Sequence, residues 1–263
     1  VFDNRIWVVG GFDGSSMNDF WIYDGSAWRC ATNSAAFPAR YGHKVVNFNG
    51  EPLVVGGTDG LGKYNDVWLL KDNGKSHCKT NDANFSARFG HACVVFNNKL
   101  WIIGGHDGTY KNDVWASEDG ISFELKTPAA NFSPRYLHAC VVDANRIWLI
   151  GGATASGRKN DVWFSEDGVQ WSKATESALF APRSGHACVV YDDMLWVLGG
   201  YTGGSGLQND VWYSADGEVW ERAMNTVPFP VRSGHAGVVF NDRIWVIGGE
   251  NEEGVMQDVW CAE

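Results

Sequence analysis

No apolar run in this sequence approaches the ~18 residues that a bilayer-spanning helix needs, and no segment shows a helical period. Positive charge is scarce. Lys and Arg total 21 against 31 Asp and Glu, giving a formal charge of −10 and a pI of about 5.1. A partner gripped by its phosphate backbone is therefore disfavoured, because such binding runs on clustered Lys and Arg. No signal-peptide pattern follows Val1. Neither nucleic acid nor a membrane is an expected partner. A disulfide framework is also missing. Cys93, Cys140 and Cys188 each stand in a His-Ala-Cys-Val-Val context, one repeat apart, whereas a disulfide needs Cα atoms within ~7 Å. They read as small thiols packed as hydrophobes. Cys30, Cys78 and Cys261 are scattered. The usage leans towards a reducing compartment, the cytoplasm rather than secretion. Two glycosylation-type triplets, Asn84-Phe-Ser and Asn131-Phe-Ser, pull the other way.

The abundant features repeat. Glycine pairs begin at Gly10, Gly56, Gly104, Gly151, Gly199 and Gly248, at steps of 46, 48, 47, 48 and 49. An Arg-x-x-His unit recurs as Arg40/His43, Arg88/His91, Arg135/His138, Arg183/His186 and Arg232/His235. NDFW at 18, NDVW at 65, 112, 160 and 209, and QDVW at 257 follow the glycine pairs. An acidic-glycine turn then leads to an aromatic at Trp28, Phe123, Trp171 and Trp220, with His77 in that place in one repeat. A fixed period of this length means a repeat architecture.

Each repeat reads as four short strands. The first leaves the Arg-x-x-His, an Asn/Asp turn follows, and the second is a continuous apolar run that suits burial on both faces. The glycine pair ends it, the Asp-Val-Trp stretch is the third strand, and the outer aromatic opens the fourth. One such sheet cannot bury both its faces. Radial packing of copies can, and that arrangement is a β-propeller. All 14 tryptophans fall at repeat positions. A buried aromatic hides ~150–250 Å², roughly 4–6 kcal/mol gross, so they are expected to hold blades together. A sugar-stacking platform is the alternative.

These residues resemble a kelch repeat: the double glycine after an apolar strand, Asn-Asp-Val-Trp, the outer tryptophan, and Arg-Ser-Gly-His at 183 and 232. The resemblance covers the whole chain. WD40, the competing propeller family, has Trp-Asp and Gly-His signatures, but it lacks the glycine doublet, and here the order is Asp-Val-Trp. The resemblance implies an all-β propeller of four-stranded antiparallel blades in one domain spanning 1–263, with segments at about 1–37, 38–85, 86–132, 133–180, 181–229 and 230–263. The first and last blades are incomplete, so the strand types count five, six, six and five. Either the chain is a segment of a longer protein, or an unusual closure completes the ring. The native ring could hold a seventh blade.

Five copies of Arg-x-x-His argue against catalysis, which needs different groups converging on one point. The arginines and histidines are expected to bond loops or the repeating Asp66, Asp113, Asp161 and Asp210. A ring of arginines gripping an anion is the sharper alternative. No cofactor or metal site is expected. A copper site of the kind found on one kelch propeller cannot be assembled, His106-Asp107 reads as a turn, and Glu250, Glu252 and Glu253 read as a solvated loop. In a repeat protein the variable residues are free to bind. Just inside the Arg lie Tyr41, Phe89, and Tyr136 with Leu137, but Ser184 and Ser233 in the other repeats. Just after the glycines lie Phe12, Thr58, His106, Ala153, Tyr201 and Glu250. In kelch proteins these two loop sets share a face that commonly contacts a peptide or protein. The expectation is a non-catalytic recognition module with Tyr41, Phe89, Tyr136, Leu137, Phe12, His106, Tyr201 and Glu250 as contacts. A carbohydrate-binding propeller and a metal-dependent enzyme on the same scaffold are the alternatives.

Overall fold

The structure is a computed structural model and describes residues 1–204, 206–223 and 229–262. Among the described residues there is no helix, and every regular element is a strand. The chain divides into two compact units, Val1–Ala129 and Ala130–Glu263. Each contains three propeller blades, six in all.

In the first unit, blade 1 is β1 (Ile6–Phe12), β2 (Ser16–Tyr23) and β3 (Trp28–Thr32), hydrogen-bonded in that order. Blade 2 is β4 (Lys44–Phe48), β5 (Glu51–Thr58), β6 (Lys63–Leu70) and β7 (Ser76–Thr80). Blade 3 is β8 (Ala92–Phe96), β9 (Lys99–His106), β10 (Tyr110–Ser117) and β11 (Glu124–Thr127). In the second unit, blade 4 is β12 (Ala139–Asp143), β13 (Arg146–Thr154), β14 (Gly157–Ser165) and β15 (Ser172–Thr175). Blade 5 is β16 (Ala187–Tyr191), β17 (Met194–Tyr201), β18 (Leu207–Ser214) and β19 (Glu221–Arg222). Blade 6 orders β20 (Ala236–Val239), β21 (Ile244–Ile247) and β24 (Val259–Ala262), with the short ribbon β22 (Glu250–Asn251) and β23 (Gly254–Val255) rising between them. All pairings are antiparallel, and all but β21 with β24 join chain neighbours.

Local chemistry sets this pattern. The turn between first and second strands places Asn97 and Asn98 at φ 49° and 56°, and Asp192 and Asp193 at 52° and 53°. Asn and Asp tolerate that left-handed pair, which suits a tight hairpin. The second strands are buried on both faces, as in Lys99–His106 and Glu51–Thr58. The core lies between neighbouring sheets. Phe48, Leu53, Val55 and Val67 of blade 2 pack with Leu100, Ile102 and Phe123 of blade 3. Trp148, Ile150 and Val162 of blade 4 pack with Leu195, Val197 and Trp220 of blade 5.

Two sequence expectations need correction. His77 does not occupy the outer aromatic position. Leu69 pairs with His77 as Ala116 pairs with Glu124, so Ser76 stands where Phe123 stands, and His77 is exposed. Nor do all the tryptophans hold blades together. Trp220, Trp171 and Trp163 are buried, but Trp21 is 37% exposed, its indole N–H donating to Asp19 Oδ2 at 2.8 Å.

Candidate functional site

Beneath the variable positions lies a constant polar layer. The Arg135 side chain is fully buried and satisfied at every donor. Nε donates to the Ser133 carbonyl at 3.0 Å. Nη1 donates to the Gly151 carbonyl at 2.8 Å and to Asp161 Oδ1 at 2.7 Å. Nη2 donates to Asp161 Oδ2 and Ser133 Oγ at 2.8 and 3.0 Å. Five acceptors meet five N–H groups, which is what makes a buried guanidinium tolerable. The same fork joins Arg40 to Asp66, Arg88 to Asp113, Arg183 to Asp210 and Arg232 to Asp258. Asp258, in the QDVW copy, thus belongs with the four aspartates named from sequence. Each carboxylate also accepts the indole N–H two residues on, as Trp163 donates to Asp161 at 2.9 Å. Residues i and i+2 share a strand face, so Asp-Val-Trp places both groups together. Burial works to raise the Asp161 and Asp210 carboxyls, but the Arg135 and Arg183 forks outweigh it and hold them below the usual range. These arginines offer no free face to an anion at an axis, and that alternative is set aside.

The histidines explain the double glycine. A Cβ on Gly57 would lie 2.7 Å from the His43 Cβ of its own blade, and one on Gly56 would lie 2.9 Å from His91 Cε1 of the next. Both glycines also have positive φ, 105° and 58°, which L side chains avoid. His43 Nε2 lies 2.9 Å from the Val9 carbonyl of blade 1, and His235 Nε2 lies 3.1 Å from the Leu198 carbonyl of blade 5. Burial and the adjacent arginine bring both imidazoles down to about 4, so each is the neutral tautomer donating from Nε2.

For His43 and His235 the partner differs from the loop or repeating aspartate expected from the sequence. The aspartates are taken up by the arginine fork and the indole, and His43 and His235 turn instead to a strand carbonyl of the preceding blade. His138 and His186 are buried too, and they pack on the glycine pairs. A Cβ on Gly152 would lie 2.6 Å from His138 Cβ, and one on Gly200 would lie 2.7 Å from His186 Cβ. His186 Cε1 also reaches back to the preceding blade, 3.0 Å from where a Cβ on Gly151 would stand. The physical reason is room. Only a residue without a side chain lets the imidazole lie flat across two blades, so the histidine is a spacer between sheets as much as a polar partner.

A further repeat was overlooked in the sequence. Phe37, Phe85, Phe132, Phe180 and Phe229 each precede the arginine by three residues, visible as FPAR, FSAR, FSPR, FAPR and FPVR. All are buried, with the guanidinium 5.4–5.8 Å from the ring centroid. Asn65 and Asn160 of the Asn-Asp-Val-Trp copies donate to the Phe85 and Phe180 carbonyls. They latch the segment that crosses to the next blade.

Above this layer the variable residues are aligned in rows. The residue after the arginine bridges to the residue after the glycine pair: Tyr41 to Thr58, Phe89 to His106, Tyr136 to Ala153, Ser184 to Tyr201 and Ser233 to Glu250. The latter residues pair in turn with Lys63, Tyr110, Arg158, Leu207 and Val255 on the third strand or its ribbon. Phe12 pairs with Ser16 in blade 1. The first unit presents a largely aromatic rim. Phe12, 47% exposed, meets Tyr41 at 5.3 Å, and His106 lies between Phe89 and Tyr110 at 5.5 and 5.3 Å. Burial, followed by the nearby Lys63, lowers the His106 imidazole despite Asp107. Leu61, not singled out in the sequence, is fully exposed on the neighbouring loop. That loop is fixed by Asp59, whose Oδ1 accepts the Leu61 and Gly62 amides. Asp107 is bonded by Lys111, Ser86 and Thr109, which ties the His-Asp couple into its loop.

The second unit presents a different rim. Tyr136 and Leu137 are half-buried, Ser184 and Ser233 are buried, and Glu250 is exposed. The Arg158 guanidinium lies 4.1 Å over the Tyr201 ring, and its Nε donates to Ser184 Oγ at 3.1 Å. Among the described residues it has no carboxylate partner, unlike every lead-in arginine. The sequence reading missed Arg158, whose only signal was its position five residues after Ala153, on the variable loop.

A sequence model of the family described as KLHDC2/KLHL20/DRC7 Kelch-repeats domain matches residues 1–119 and 121–263. No curated protein matches the chain.

Proposed function

Because this chain belongs to the kelch-repeat family, whose propellers are commonly protein-interaction scaffolds and generally non-catalytic, we propose that it is a recognition module for a peptide or protein segment. The reading rests on one observation. Variable side chains are set in backbone-bridged rows beside a polar layer whose Arg–Asp fork recurs in five blades. The lower layer fixes the backbone, and the upper one is free to differ. Rigid aromatic residues such as Tyr41, Phe89 and Tyr136 are suited to anchor a partner, because aromatics and arginines dominate binding hot spots. Phe12, His106, Tyr201, Leu137 and Glu250 complete the contact set, and Arg158 supplies a preorganised cation for an acidic group.

The test is capture from a cell lysate with the wild-type chain and with a variant carrying Tyr41→Ala, Phe89→Ala, Tyr136→Ala and Tyr201→Ala. Tryptophan fluorescence checks that the variant is folded. A protein held by the first and lost by the second supports the reading. Identical captures sink it. A carbohydrate ligand is the second reading, favoured by the exposed rings of Phe12 and Tyr201. It would register as glycan binding that peptides do not compete.

A further inference from the structure

One position on the second unit's rim breaks the repeat in a way the backbone resists. Two residues after the lead-in arginine the chain reads Gly42, Gly90, Leu137, Gly185 and Gly234, and all five have φ between 52° and 68°. Four glycines take that left-handed conformation freely. A bulky residue there is an outlier that the surroundings must enforce. The backbone role does not differ. The Gly185 amide donates to the Leu137 carbonyl at 2.9 Å, as Gly90 donates to Gly42 and Gly234 to Gly185, both at 2.8 Å. The link between blades is therefore the same with or without the side chain.

The neighbouring blade decides whether a side chain fits. A Cβ on Gly42 would lie 3.2 Å from the Cβ and Cδ2 of Phe89. A Cβ on Gly185 would lie 3.5 Å from the Cβ of Ser233. The residue met in each case is the first after the next arginine. The residue in that place after Leu137 is Ser184, which is small. Ser184 in turn accepts the Arg158 Nε bond, and Arg158 lies over Tyr201. Leu137 is thus bonded through its carbonyl to Gly185, the residue after Ser184, and the guanidinium that Ser184 holds has no carboxylate of its own among the described residues. Leu137 is only half-buried, so core packing does not account for it.

We infer that Leu137 is a specificity-determining contact of the second unit's rim, and that its partner is a peptide presenting an aliphatic side chain next to a carboxylate. The leucine supplies the apolar contact, and Arg158 supplies the charge complement. The inference rests on the peptide-recognition reading above and deepens it.

The test uses the full chain panned against a phage-displayed random-peptide library, after which the most enriched peptide is synthesised. Its Kd is measured for wild type, Leu137→Gly and Arg158→Ala, and melting midpoints are recorded alongside. The enriched peptide is expected to combine an aliphatic and an acidic residue. Leu137→Gly should weaken it about tenfold or more, while the melting midpoint rises by ~2–4 °C as the left-handed position is relieved. A merely structural leucine would not give loss of affinity together with gain of stability. An enriched peptide that Leu137→Gly binds as tightly as wild type overturns the inference alone. So does a midpoint that fails to rise. A library that yields no peptide overturns the peptide-recognition reading, and this inference with it.

Discussion

The two units carry the same buried layer and contrasting rims. In the first, Gly42 lies against the bulk of Phe89. In the second, Leu137 takes the glycine's place and the next blade offers Ser184. Side-chain volume has moved from one position to its neighbour, while the backbone bond between blades is unchanged. Beneath both rims the Arg–Asp fork has the same geometry. Arg40 reaches Asp66 at 2.5 and 2.8 Å, and Arg135 reaches Asp161 at 2.7 and 2.8 Å. The difference teaches that the fork, not the rim, determines where the backbone runs.

The strongest way to break this comparison is to remove one carboxylate in each unit. Asp66→Ala and Asp161→Ala each leave a fully buried guanidinium unpaired, and loss of one partner of a buried pair costs about 3–5 kcal/mol. Urea unfolding should show similar losses for both. A loss under about 1 kcal/mol in either unit would mean that its fork behaves as a surface ion pair.

Acid should weaken both units in the same direction. His43 in the first and His235 in the second have folded values of about 4 against an ordinary 6.5. Between those values the unfolded chain binds more protons than the folded one. Stability from these imidazoles is therefore full above pH 6.5, falls as the pH drops through that window, and is gone below 4. The combined effect is on the order of a few kcal/mol. A urea midpoint that stays flat from pH 7 to 4.5 would show that the imidazoles take up protons as readily in the fold as in the unfolded chain.

The exchange of volume between neighbouring rim positions has a direct test. Ser184→Phe recreates the bulk of Phe89 in front of Leu137. Overpacking of this kind costs ~1–3 kcal/mol. In a Leu137→Gly background the same substitution should cost less, because the pair then repeats Gly42 and Phe89. A double-mutant cycle reads the coupling. Strict additivity would mean that the two side chains never meet.

Much of this was legible in the sequence. The glycine doublet, Asp-Val-Trp and Arg-x-x-His announced strands, their order and the blades, because each is a backbone requirement repeated at fixed spacing. What the histidines touch was less legible. That His138 and His186 pack on Gly152 and Gly200 follows from how the first and second strands of a blade are registered, which spacing alone does not reveal. The rim pairs were legible only as two loop sets sharing a face. Their registration, Tyr41 with Thr58 or Ser184 with Tyr201, depends on a bulge at the glycine pair that shifts the pairing between Val55 and Gly57. Arg158 was invisible because a lone arginine in a variable loop looks solvated until Tyr201 and Ser184 are seen to clamp it. His77 was misassigned because the turn in blade 2 lacks the serine that marks its register in blades 3, 4 and 5. Ser117, by contrast, accepts the Gly120 amide at 2.8 Å.

The smallest expected effect separates strain from crowding at the rim glycines. Gly234→Ala meets no atom within 4 Å of the new Cβ, so its cost is the left-handed conformation alone, about 1–2 kcal/mol. Gly42→Ala bears the same cost and also pushes the new Cβ against Phe89. It should be the more destabilising of the two, and Phe89→Ala, which removes Cδ2 but keeps the Cβ at 3.2 Å, should narrow the difference while leaving the shared part. If Gly42→Ala and Gly234→Ala unfold at the same urea concentration, Phe89 yields freely. Crowding from the next blade would then not be what keeps Gly42 a glycine, and the strain at Leu137 would be set by backbone conformation alone.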